Sequence, residues 1–147
     1  WRARFNQSLH SQCWMNASMN VEIATRFLMT DQFEHNQSQL ADEMRYRQNA
    51  MMDCLQRLGF DARRGGLNVW LPLPLSINMH ALNASLLEQN IKVRPADLFT
   101  DQNQAQVVEP GIRLSLGGFD LRADFEQGLD RLEQTILAFK QVQDVVI

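Results

Sequence analysis

Hydrophobic positions change period along the chain, and the change divides it into two kinds of element. Up to residue 58 they recur at helical spacing. Phe5, Leu9, Cys13 and Trp14 open this pattern, and Ser18 is the N-cap of a helix over 19–30 with Val21, Ala24 and Leu28 on one face. After an interruption at Thr30-Asp31-Gln32-Phe33, a long helix is predicted over 34–58. Its apolar stripe runs Leu40, Met44, Met51, Leu55, Leu58, at intervals of 4, 7, 4 and 3. Glu43, Arg45, Arg47, Gln48 and Arg57 fall on its wetter sides, and Gly59 stops it.

Beyond Gly59 the period shortens. Phe60-Asp61-Ala62-Arg63-Arg64 reads as an extended link into Gly65-Gly66 and a strand, Leu67–Leu71, with Leu67, Val69 and Leu71 inward and Asn68 and Trp70 outward. Pro72 and Pro74 end it, because proline has no N–H for the ladder. The glycine pair precedes a strand instead of joining a strand to a helix N-terminus, which excludes a phosphate loop. Ser76 or Asn78 caps a helix to Asn90 with Met79, Leu82 and Leu86 inward, and Asn90 suits the left-handed end. Ile91–Arg94 is a second strand, and residues 100–110 are a polar surface loop. Ile112–Leu116 is a third, with Arg113 and Ser115 off the hydrophobic side. Asp120 caps a final helix over 121–141, where Phe125, Leu129, Leu132, Ile136 and Phe139 repeat at 4, 3, 4 and 3. Helices, then strand, helix, strand, strand and helix, predict an α/β (α+β two-layer) fold: a small antiparallel or mixed sheet with helices on one face. The other face holds Trp70 and Arg113.

Composition narrows the functions. With 147 residues, 45% hydrophobic and 21% charged, the chain can bury a core. A net charge of −3 supplies no basic footprint for nucleic acid. No apolar run approaches the ~18 residues of a membrane span, and no signal peptide is visible, so a cytoplasmic protein is expected. Cys13 and Cys54 read as reduced, semi-buried thiols. His10, His35 and His80 are scattered, without metal-ligand spacing, and no serine or cysteine stands in a nucleophile motif, so neither catalytic nor metal residues are assigned. Arg113 is the candidate site. A guanidinium fixed in mid-strand off the core suits bidentate capture of a carboxylate. Spacing alone leaves that reading beside a plain solvent-facing arginine.

Three segments in order carry a resemblance. Gly65-Gly66-Leu67-Asn68-Val69-Trp70-Leu71-Pro72-Leu73-Pro74 resembles the glycine-glycine, apolar, tryptophan, leucine, proline strand of fold-type I pyridoxal-phosphate aminotransferases. Asn90-Ile91-Lys92-Val93-Arg94-Pro95, with Leu98-Phe99, resembles their Gly-Val-x-Val-x-Pro-x-x-x-Phe segment, with Asn90 where glycine is usual. Ile112-Arg113-Leu114-Ser115-Leu116 resembles their Leu-Arg-Leu-Ser-Phe strand. Upstream, Cys13-Trp14-Met15, Val21–Phe27 and the run Glu43-x-Arg45-x-Arg47-Gln48 resemble MocR-type members of the GntR regulators, whose effector domain is a modified aminotransferase.

The resemblance implies that residues 1–30 link from a missing large cofactor domain and that residues 31–147 are the small C-terminal domain. It implies pyridoxal phosphate in the parent protein, an amino-acid or amine effector with its carboxylate on Arg113, a homodimer, no membrane, and DNA contact only through a missing N-terminal domain. Lys92 and Lys140 match no cofactor lysine and read as solvent-facing charges, so the fragment alone is not expected to be an enzyme. The alternative is a true class I/II aminotransferase, in which Arg113 serves catalysis; a third reading is an unrelated two-layer domain with no ligand.

Overall fold

The computed structural model describes residues 18–99 and 109–145. The predictions at Phe5, Leu9, His10, Cys13 and Trp14, and most of the polar loop after Phe99, lie outside the described residues. The chain forms two compact units, 1–42 and 43–147.

In the first unit, α1 spans Ser18–Leu28, so Ser18 begins the helix itself, and none of its residues is buried. The next helix, α2, spans Asp31–Arg57, starting earlier than periodicity suggested. The reason is Thr30: its Oγ1 accepts from the Phe33 N–H at 3.2 Å, a cap that turns the supposed interruption into a helix start. Leu40, placed in the apolar stripe, is 56% exposed.

The second unit holds a four-stranded antiparallel sheet in the order β1-β2-β4-β3. Its strands are β1 (Arg63–Gly65), β2 (Asn68–Pro72), β3 (Arg94–Pro95) and β4 (Gly111–Ser115). Arg63 and Arg64, read as part of a link, form a strand with Gly65 because Gly66 and Leu67 make a two-residue hairpin turn, with Gly66 at φ 61. Leu67 therefore lies in the turn and is 59% exposed, not inward. The predicted strand at Ile91–Arg94 shrinks to Arg94–Pro95. Asn90 (φ 59) closes α3 (Met79–Glu88), and the Ile91 N–H reaches back to the Leu86 carbonyl at 2.9 Å, so Ile91 belongs to a helix end. Gly59 closes α2 in the same way, with the Phe60 N–H on the Leu55 carbonyl at 2.9 Å. Asn78 is the cap of α3: its side chain accepts from the N–H groups of His80 and Ala81. The last helix, α4, spans Arg122–Val145.

One face of the sheet carries Val69, Leu71, Ile112 and Leu114, and the core closes over it with Leu55, Leu82, Leu86, Phe125, Leu132 and Ile136. Cys54 is fully buried, more so than its spacing suggested. Burial raises its thiol pKa to about 11, with nearby Glu133 adding to the rise, so the thiol stays protonated.

Arg47 corrects the helical-wheel reading most sharply. Expected on a wet side, it is 4% exposed. Its Nε donates to Glu43 at 2.8 Å, and Nη1 donates to the Leu116 and Phe119 carbonyls at 3.1 Å each. Its guanidinium also lies 5.4 Å from the Phe125 ring centroid. The loop leaving β4 has no ladder partner for these carbonyls, and the arginine supplies one. Lys140 is likewise no solvent-facing charge. It donates to the Leu58 carbonyl at 2.6 Å and lies 4.2 Å from the centre of the Phe60 ring, at the C-terminal end of α2.

Candidate functional site

The face of the sheet away from the core is organised by register. Arg113 is the Cα partner of Trp70 on one side and of Arg94 on the other, and Trp70 is in turn the partner of Arg63. Residues directly opposite share a face, so Arg63, Trp70, Arg113 and Arg94 form one row across all four strands. In a chain of net charge −3, this row gathers three arginines.

An aromatic bed supports the row. The 3-10 turn Ala96–Phe99, which leaves β3, brings Phe99 against Trp70 edge to face, with centroids 6.3 Å apart. The Arg113 guanidinium stacks 4.9 Å from the centre of the same Phe99 ring. Gly111 makes room for the indole: a Cβ there would meet Trp70 Cζ2 at 2.6 Å and the Leu71 carbonyl at 3.0 Å. Trp70 is half-buried on this face and does not sit in the helix-packed core.

Arg113 itself is half-buried, and its Nε is enclosed yet has no hydrogen-bond partner among the described residues. A buried donor left unmade costs free energy. Leu114 and Ile112, its neighbours in sequence, are sealed in the core, so the strand cannot rotate to wet it. The result is a guanidinium held by ring stacking and strand register, with hydrogen-bonding capacity to spare. Arg63 has Glu109 at 3.9 Å, and both are exposed. Arg94 is exposed and pairs with no acid among the described residues.

The sequence reading found Arg113 and Trp70 on this face and missed Arg94 and Phe99. Alternation in Ile91–Arg94 could have pointed to Arg94, but only register sets it opposite Arg113. Lys92 is exposed ahead of β3, and Lys140 is engaged at the end of α2, so neither joins the row. Among the described residues, no group of three or more His, Cys, Asp or Glu could hold a metal ion. Nor is any described helix long and apolar enough to cross a membrane.

No family model matches the chain, and no curated protein matches it. Solved structures do. A structure of LysN, the α-aminoadipate aminotransferase of Thermus thermophilus, complexed with N-(5'-phosphopyridoxyl)-L-leucine, matches with a TM-score of 0.74 at 22% identity, over 92% of this chain and 35% of that one. The kynurenine aminotransferase of Pyrococcus horikoshii, in complex with PMP, matches at 0.70 and 18% identity, over 92% of this chain and 34% of that one. A decarboxylase from Sulfurospirillum multivorans matches at 0.58 and 18% identity, over 90% of this chain and 36% of that one. This chain thus has the fold of about one third of an aminotransferase-like protein.

Proposed function

We propose that this chain is the C-terminal small domain of a MocR/GntR-type transcriptional regulator, and that Arg113 holds the carboxylate of its amino-acid effector. The observation that carries the reading is the state of Arg113: half-buried, stacked on Phe99, and with an enclosed Nε that nothing among the described residues satisfies. A carboxylate brought to that face supplies the missing acceptor and takes two parallel charge-assisted hydrogen bonds.

The residues present fit the ligand end of a pyridoxal-phosphate site and not its cofactor end. Lys92 is exposed ahead of β3 and Lys140 is engaged at the end of α2, so on this reading the cofactor and the lysine that holds it belong to a large domain outside this chain. Bound there, pyridoxal phosphate supplies an electron sink for the amino-acid carbon. This chain binds the carboxylate and fixes its plane, with Phe99 and Trp70 bracing the guanidinium from beneath. Closure of the small domain over effector and cofactor then biases a cytoplasmic homodimer between two arrangements of its DNA-binding domains. The alternative is a true class I/II aminotransferase, favoured by the aminotransferases among the structures of like fold. Arg113 has the same task in both.

The test uses the full-length, cofactor-loaded protein with Arg113→Lys and Arg113→Gln. Amino-acid affinity should fall by on the order of 1.5–3 kcal/mol while circular dichroism and unfolding midpoint hold. Unchanged affinity in both folded variants removes the assignment. DNA binding that responds to the amino acid supports the regulator, and turnover of the amino acid to its keto acid without DNA binding supports the aminotransferase.

A further inference from the structure

We infer that a cavity at the open edge of β4 binds a small carboxylic acid with an apolar body about the size of a benzene ring. The cavity measures about 210 Å³, and none of its lining residues belongs to the row of Arg63, Trp70, Arg113 and Arg94. The site therefore stands apart from the one assigned to Arg113. Strand register opens the space. The Leu116 N–H bonds the Leu67 carbonyl on the β2 side, so alternate residues of β4 turn their main chain toward β3. Of β4, β3 pairs only with Ile112 and Arg113, and Ser115, further along that edge, has no strand opposite. The Ile91 N–H is held by the Leu86 carbonyl at the end of α3, which keeps residues 91–93 from closing the gap as a strand. A Cβ at Gly117 or Gly118 would meet nothing within 4 Å, so the loop after β4 leaves the space unfilled.

The floor of the cavity is apolar and its lining carries only positive charge. Met51, Phe125 and Leu132 are buried core residues, and Leu129 is half-buried beside them. Water against such a floor finds few partners and is displaced by an apolar group. An apolar cavity of about 150 Å³ accommodates benzene, so 210 Å³ has room for a ring and a short acid arm. Lys92 and Arg131 line the cavity, and no acid does. Both cations are exposed, and neither takes part in an ion pair among the described residues. Lys92 comes from the segment before β3 and Arg131 from α4, so an acid between them joins two elements. Two cations over an apolar floor select an anion with an apolar body over its neutral isostere.

The test titrates the full-length, cofactor-loaded protein by calorimetry with phenylacetate and its neutral isostere phenylacetamide. Phenylacetate should bind to the wild type and to Arg113→Gln alike, about tenfold more tightly than the amide in that variant. In the Arg113→Gln background, Lys92→Gln and Arg131→Gln should each weaken phenylacetate about threefold, and together they should bring acid and amide to equal affinity. Leu129→Phe, which fills the cavity, should abolish binding of both probes there. The two glutamine changes fall on exposed side chains, so they decide the matter even where Leu129→Phe folds poorly. Phenylacetate that binds the wild type but not Arg113→Gln lies on Arg113, which overturns the inference and supports the other site. Binding of neither probe, equal binding of both in Arg113→Gln, or an acid preference that survives the paired glutamine changes also overturns it.

Discussion

Arg47 and Arg113 lie among opposite layers of the same unit, and they meet water's absence in opposite ways. Arg47 is 4% exposed, and it reaches one carboxylate, two carbonyls and the Phe125 ring. Arg113 has a ring beneath it and an enclosed Nε with no partner among the described residues. The first arginine is satisfied by its own fold, and its charge is needed to close the loop after β4. The second is positioned by its fold and left incomplete. The account of its donors therefore separates a structural arginine from the one proposed to bind.

The largest effect should come from removing Arg47. Arg47→Ala leaves two carbonyls without a donor and takes one cation from Glu43, at an expected cost of about 3 kcal/mol in urea unfolding. The same change at Arg113 should cost less than about 0.5 kcal/mol, as for an ordinary position off the core. Equal losses at both sites would erase the distinction.

A smaller effect is expected at Gly111, which tests whether the open face is as rigid as the packed one. Gly111→Ala places a methyl where Trp70 and the Leu71 carbonyl stand, at 2.6 and 3.0 Å. A cost of about 1–3 kcal/mol is expected, with a shift in Trp70 emission as the indole is displaced from Phe99. No change in stability or emission would mean that the aromatic bed is loose, and the pre-set geometry of Arg113 would lose its support.

The smallest effect is in acid. Glu43 receives hydrogen bonds from Arg122, the stronger influence, and from Arg47, and its carboxyl is held below the ordinary 4.5. Glu133 is lowered in the same direction by Arg57. Where the folded pKa lies below the unfolded one, the unfolded chain binds more protons. These pairs therefore stabilise fully above 4.5, and their contribution is lost as pH falls through the lowered folded values. Urea midpoints should decline below about pH 4.5, and the decline should be shallower in Glu43→Gln and unaltered in Arg113→Gln. An acid slope that Glu43→Gln leaves untouched would detach Arg47 from its ion-pair role.

Much of the fold was legible because period is local. The 4, 3, 4, 3 spacing from Phe125 to Phe139 and the alternation of Ile112, Leu114 and Leu116 name their elements without knowledge of any partner. Asn90 and Gly59 were readable as helix ends for the same reason, since a left-handed residue is a local demand. The failures have one cause. Arg63–Gly65 becomes a strand only because a turn folds it onto β2, Arg47 is buried only because the loop after β4 arrives above it, and Lys140 finds a carbonyl on a distant helix.

The sequence by itself determined most of the apolar residues that face the core, where most helices end and that Arg113 stands on the outer side of a strand. Only the tertiary structure decided that Arg94 stands opposite it, that Phe99 lies beneath it and that its Nε has no partner among the described residues. The physical reason is range. Periodicity and capping act within a few residues, whereas strand register and the satisfaction of buried donors are settled between segments far apart in the chain.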